Sequence, residues 1–144
     1  MMKTRTVVAL VGAAGLLLFC RSASAHHSDA EYESDQLVTL NATVTQFEFI
    51  NPHQLIRLDA KDDKGNIEQW IAYGGAPNHM SRIGWTSHTL QPGERITITG
   101  LPSKYGRKIM LHVKIIRANG EELPASDTEQ GYLKRALAKK SNKD

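Results

Sequence analysis

From Leu37 to Ile50 apolar and polar residues alternate, with Val38, Leu40, Ala42 and Val44 set between Thr39, Asn41, Thr43 and Thr45. A period of two places every second side chain on one face, so the stretch predicts a half-buried β-strand. Phe47 and Phe49 then fall on the opposite phase. A slip of one residue turns side chains to the wrong face unless an extra residue is absorbed, which predicts a bulge near Thr45 or Gln46. Asn51-Pro52 interrupts the ladder, because proline has no N–H to donate, and His53 to Ala60 resumes it.

Asp62-Asp63-Lys64-Gly65-Asn66 has the composition of a hairpin turn, and Ile67 to Tyr73 predict a third strand around Trp70. Gly74-Gly75 ends that strand, and Pro77 to Ile83 predict a short helix with proline in its first turn. After the Pro92-Gly93 turn, Ile96 and Ile98 alternate with threonines up to Gly100, and Leu101 to Arg107 predict a loop. Ile109 to Ile116 predict the last strand, with Ile109, Leu111, Val113 and Ile115 on one face. The order strand, strand, strand, helix, strand, strand is that of a five-stranded OB-like barrel, an all-β class. Ser126-Asp127-Thr128-Glu129 offers a capping box, and Tyr132, Leu133, Ala136 and Leu137 form a helical stripe, so a short C-terminal helix follows.

The amino-terminal end is patterned differently. Lys3 and Arg5 precede fifteen uncharged, mostly apolar residues from Thr6 to Cys20, and Ala23-Ser24-Ala25 has the small-x-small form that signal peptidase reads. A bilayer-spanning helix needs about 20 apolar residues, so a cleaved signal peptide over 1–25 is expected rather than a membrane anchor. Lipidation of Cys20 is disfavoured by Phe19, where a small residue is normal. The predicted organisation is a signal peptide (1–25), a polar arm (26–36) whose order would require a partner or a metal, a barrel domain (37–118), and a linker with a basic tail helix (119–144). A periplasmic protein without stable membrane insertion follows from it.

Removing that segment changes the charge. The chain has 18 Lys and Arg against 15 Asp and Glu, and Lys3, Arg5 and Arg21 all lie in the first 25 residues, leaving 15 of each sign. Lys134, Arg135, Lys139, Lys140 and Lys143 make the final dozen residues basic, so the body is acidic in balance. A nucleic-acid groove needs a basic stripe on the folded face, and nucleic acid is therefore not an expected partner. The single cysteine, Cys20, leaves with the signal. An ordinary core must then hold the remaining domain without disulfides.

Cleavage after Ala25 would make His26 the first residue, with His27 beside it. A free amino-terminal histidine chelates a metal through its α-amine and ring Nδ1, and a second imidazole completes a set suited to tetragonal copper, ahead of zinc. His53, His79, His88 and His112 are the candidates for that second ligand, while His27 can bind only weakly from one side. The opposing reading is that both histidines simply begin a solvated arm. His53 lies in the loop joining strands one and two, which in OB barrels flanks the binding face together with the loop joining strands four and five. That second loop carries Lys104, Tyr105 and Arg107, and Trp70 and Tyr73 are placed on or beneath the same face. The arm enters the first strand at the end opposite to His53, so pairing with His26 is within reach but not implied. A partner protein or small ligand bound on the strand two and three face, with no metal, is the alternative function. No Gly-x-Ser-x-Gly elbow, HExxH pair or phosphate loop occurs, and an enzyme is not expected.

The run from His26-His27-Ser28 through Asn51-Pro52-His53, Trp70, Gly74-Gly75-Ala76-Pro77-Asn78, Arg82-x-Gly84-Trp85 and Leu90-x-Pro92-Gly93 resembles small exported bacterial proteins known only as a domain of unknown function. The resemblance covers about residues 26–117; it implies a periplasmic location and brings no activity. The first-strand segment also resembles that of periplasmic bacterial OB-fold proteins. Asp29 stands where such proteins often carry Phe or a similar residue.

Overall fold

The computed structural model of the chain describes residues 31–142. Five strands, β1 (Val38–Glu48), β2 (Leu55–Lys61), β3 (Ile67–Tyr73), β4 (Arg95–Pro102) and β5 (Ile109–Arg117), close in the order β1-β2-β3-β5-β4. All neighbours are antiparallel except β3 and β5, which run parallel through Ile71, Ala72 and Tyr73. This is the expected OB-type barrel. Helix α1 (Pro77–Met80) and a 3-10 turn (Ser81–Ile83) lie between β3 and β4, and α2 (Asp127–Ser141) follows the barrel.

Closure of the sheet gives the barrel an inside and an outside, and the period-two pattern decides which residues fill it. Val44, Ile56, Leu58, Ala72, Ile98, Met110 and Ile115 are buried inside. Met80, Trp85 and Leu90, from the segment between β3 and β4, pack with them. The bulge on β1 falls where the phase slip predicts it: Val44 faces Leu58 and Gln46 faces Arg57, so Thr45 is the extra residue.

A second bulge corrects the reading of the last strand. Thr99 pairs with Lys114 but Gly100 pairs with His112, which leaves Val113 as the extra residue on β5. Ile109, Leu111 and Val113 therefore do not share a face with Ile115: Met110 and Ile115 belong to the interior cluster, whereas Ile109, Leu111 and Val113 belong to an outer one with Leu101, Tyr132, Leu133 and Ala136. Met110 Sδ and the Leu111 carbonyl would each stand 2.7 Å from a Cβ at residue 100, so this bulge requires glycine.

The outer cluster explains the tail. Helix α2 begins at the predicted capping box, in which Ser126 Oγ accepts the Glu129 N–H and Glu129 accepts the Ser126 N–H. Ala136 is fully buried on the outside of β5, but Leu137, expected in the same stripe, is 51% exposed. The segment expected as a linker is also fixed: Leu123 N–H bonds the Ile115 carbonyl and Trp85 Nε1 donates to the Pro124 carbonyl at 2.7 Å.

The arm needs neither partner nor metal for its order from residue 31 onward. Glu33 N–H bonds the Pro102 carbonyl and Lys104 N–H bonds the Glu31 carbonyl, so Tyr32 bridges Ser103 as a short strand extension. Arg107 also pairs with Glu31, and Tyr32 is only 5% exposed. Apolar burial of one tyrosine contributes about 1.5–3 kcal/mol, enough to hold a polar segment against the barrel. Residues 1–25, His26 and His27 lie outside the described residues.

Candidate functional site

A cavity of about 300 Å³ opens between the β1–β2 loop, the Gly74–Gly75 turn and the start of α2. The arm contributes Tyr32, the loop His53, the end of β3 Tyr73, α1 His79 and Met80, and α2 Glu129 and Tyr132. The volume is at the lower end of ligand pockets, and the composition fits one: mostly apolar and aromatic walls with a few polar groups. Two of its walls come from outside the barrel strands, since the arm brings Tyr32 and the predicted helix α2 brings Glu129 and Tyr132.

A buried polar group lies beside it. Gln54 takes the inward phase of β2, two residues ahead of Ile56, and is fully buried. Its side-chain Nε2 lies 2.9 Å from His112 Nε2. An amide NH₂ can only donate, so the ring Nε2 accepts and the hydrogen of the neutral imidazole sits on Nδ1. That Nδ1 faces Glu129 Oε1 at 3.8 Å, too far for a hydrogen bond. His112 is 2% exposed and Glu129 3%. Burial pushes the His112 pKa down, with Glu129 opposing the shift less strongly, so the ring stays neutral near pH 7 and does not neutralise the carboxylate.

Two acceptors in this group are unpartnered: Gln54 Oε1 and Glu129 Oε1 are buried without a hydrogen bond. Such atoms are rare because each costs about 1–3 kcal/mol. The other Glu129 oxygen accepts the Ser126 N–H at 2.7 Å. Trp85 stacks on His112, with ring centroids 6.1 Å apart. Gly74 closes the arrangement, its N–H bonding the Gln54 carbonyl while its missing side chain leaves room for both Gln54 and His112.

The structure brings His53 and Tyr73 onto one cavity and adds His79 to them. The arm enters β1 at its Val38 end, away from the β1–β2 loop, yet reaches His53: Tyr32 lines the same cavity. Trp70 lies beneath the predicted face, in the core. Trp70 and Ala72 point into the barrel while Tyr73 points out, because neighbours in a strand alternate. The Trp70 indole packs in the core, with Lys108 Nζ 5.2 Å from its ring and Nε1 on Glu68.

Lys104, Tyr105 and Arg107 are exposed in the β4–β5 loop, with the Arg107 guanidinium 5.7 Å from the Tyr105 ring centroid; none lines the cavity. Among the candidate second ligands, His112 is engaged by Gln54 and sealed in the core, and His88 sits in the loop before β4. No group of three or more His, Cys, Asp or Glu among the described residues is placed to hold a metal. No helix among them is long and apolar enough to cross a membrane.

The polar group itself escapes the sequence reading. Gln54 is a polar residue on an otherwise apolar phase with Ile56, Leu58 and Ala60, which is a legible signal. His112 is hidden by the β5 bulge, and Glu129 reads as a helix cap alone.

This geometry defines an OB-type barrel with a roofed cavity at one end. The chain belongs to the family of unknown function DUF6152, whose model matches residues 14–112. No curated protein matches it. Among solved structures it is similar to the crystal structure of yeast Stn1 and Ten1, at 11% identity and a TM-score of 0.35. The match covers 74% of this chain and 51% of that one, so the chain spans about half the length of that neighbour.

Proposed function

We propose that the protein is an exported, periplasmic binding protein whose ligand site is the cavity under α2, and not the open face of β2 and β3. Support for the cavity comes from an unpartnered buried acceptor, Glu129 Oε1, on a residue of its wall among three tyrosines. The charged segment and small-x-small site of residues 1–25 support export. The reading is one of binding without turnover. Ala76→Phe, on the cavity wall, fills part of the space and tests it. In a ligand-observed NMR screen of small molecules, hits on the wild type are expected to vanish in this variant. Hits that all persist would contradict the reading.

One observation favours copper binding through His26 as a second function of the same end of the barrel. Tyr32 is fixed in the cavity wall beside His53 and His79. Six residues extend at most about 20 Å, so a chain cut after Ala25 would carry its α-amine within that radius of Tyr32. Cu(II) titration followed by EPR on protein beginning at His26 is expected to give one tetragonal site per chain. The same result from protein with one residue added before His26 would exclude the amino-terminal chelate. Loss of the signal in a His53→Ala, His79→Ala double variant would identify the second ligand.

A further inference from the structure

We infer that the cavity selects a small organic ammonium ion carried on an apolar or aromatic body; the inference rests on the cavity being the ligand site. Three observations set the sign of the charge. Glu129 is the sole acidic side chain on the cavity wall, and no lysine or arginine lines it. Its Oε1 accepts no hydrogen bond, and the neighbouring His112 is neutral and too distant at 3.8 Å to supply one. Gly75, also on the wall, lies next to that oxygen: a Cβ there would stand 3.9 Å from Glu129 Oε1 and 2.8 Å from Met80 Sδ, so the glycine and the Met80 side chain border the carboxylate at this edge.

The walls agree with the charge. Tyr32, Tyr73 and Tyr132 line the space from three different elements, and aromatic faces attract cations through the ring quadrupole; the Tyr132 ring already carries the Arg135 guanidinium, 4.7 Å from its centroid, which leaves Tyr32 and Tyr73. Against this stands the amino terminus of α2, whose dipole favours anions with roughly half an elementary charge. That end is already opposed: Asp127 and Glu129 occupy the first turn, Ser126 Oγ takes the Glu129 N–H, and the Ser126 carbonyl takes the Gln130 N–H. The full charge of Glu129 outweighs the half charge of the dipole on the wall itself, which Asp127 does not line, and Arg135, 4.7 Å from the Tyr132 ring centroid, stands outside it. An ammonium group at the Gly75 edge would stand against the charge of Glu129, whose Oε1 is buried there, while its apolar body meets the tyrosines, Leu111 and Met80.

The test uses the full exported protein and three probes of nearly one shape: 2-phenylethylammonium, the neutral 2-phenylethanol and the anion phenylacetate. Calorimetric titration is expected to show the ammonium binding at least tenfold tighter than the alcohol, and phenylacetate weakest. Glu129→Gln removes the charge but keeps a residue that serves equally in a capping box; it is expected to lower ammonium affinity at least tenfold and leave the alcohol within twofold. Equal binding of the three probes to the wild type would overturn the inference without recourse to any variant. An undiminished affinity of a folded Glu129→Gln protein would also overturn it. If no probe binds, the inference falls, whereas the cavity reading falls only if the small-molecule screen gives no hit sensitive to Ala76→Phe.

Discussion

Gly74→Ala adds a single methyl group at the point where β3 turns away from the barrel. Its Cβ would lie 2.1 Å from His112 Nε2, 2.3 Å from Gln54 Nε2 and 2.8 Å from Gln54 Cγ. Ordinary contact begins at 3.4 Å, so the imidazole alone must retreat by about 1.3 Å. It has nowhere to go, because Trp85 is stacked on it and both Gln54 and His112 are buried. Overpacking costs about 1–3 kcal/mol, and separating the Gln54–His112 pair leaves buried polar atoms unpaired at a further 1–3 kcal/mol. The expected loss is about 2–6 kcal/mol, a large part of the roughly 5–15 kcal/mol typical of a domain. Gly131→Ala is the control: it lies inside α2 and its Cβ would meet nothing within 4 Å, so the better helix former stabilises by about 0.5–1 kcal/mol. Equilibrium urea denaturation with fitted slopes compares the two. A Gly74→Ala stability within 0.5 kcal/mol of wild type would refute the close packing of the glycine against the polar group.

Two other consequences concern the same region. The depressed His112 pKa means that the unfolded chain, with an ordinary value near 6.5, takes up the proton first. Stability contributed by the neutral ring is therefore complete above about pH 6.5 and declines as pH falls below it, by at most about 1.4 kcal/mol per unit. His112→Gln is expected to flatten the fall in urea midpoint between pH 7 and 5.5, and an unchanged slope would show that the ring does not carry it. Trp85→Phe removes the 2.7 Å bond to the Pro124 carbonyl and part of a buried ring. About 1–3 kcal/mol of stability should be lost in thermal or chemical denaturation, and a loss below 0.5 kcal/mol would mean that the linker is held by Leu123 alone.

The barrel was legible because its strands alternate strictly and their turns carry glycine, proline and paired aspartates. Even the β1 bulge showed, since Phe47 and Phe49 break phase in the sequence itself. The β5 bulge left no such mark: Ile109, Leu111, Val113 and Ile115 keep a perfect period of two, and only pairing with Gly100 reveals that the phase slips at Val113. With it went His112, which the sequence offers as a candidate metal ligand and the barrel buries in its core. The cavity was less legible for a related reason. His53 and Tyr73 were readable from their loop and strand, but Tyr32 and Glu129 act through long-range contacts, in segments that read as polar arm and helix cap. Trp70 and Tyr73, read together as on or beneath one face, differ by three residues, an odd number that sets Trp70 inside the barrel and Tyr73 outside it.

The claim that the cavity under α2 is the working site can be tested by mapping backbone amide shifts as the strongest small-molecule hit is titrated into labelled protein. Saturating shifts concentrated at Tyr73, Gly74, Gly75, Glu129 and Tyr132 are expected. Shifts confined to Arg57, Asp59 and Gln69, which line the outer face of β2 and β3, would place the ligand on the open sheet and contradict the account.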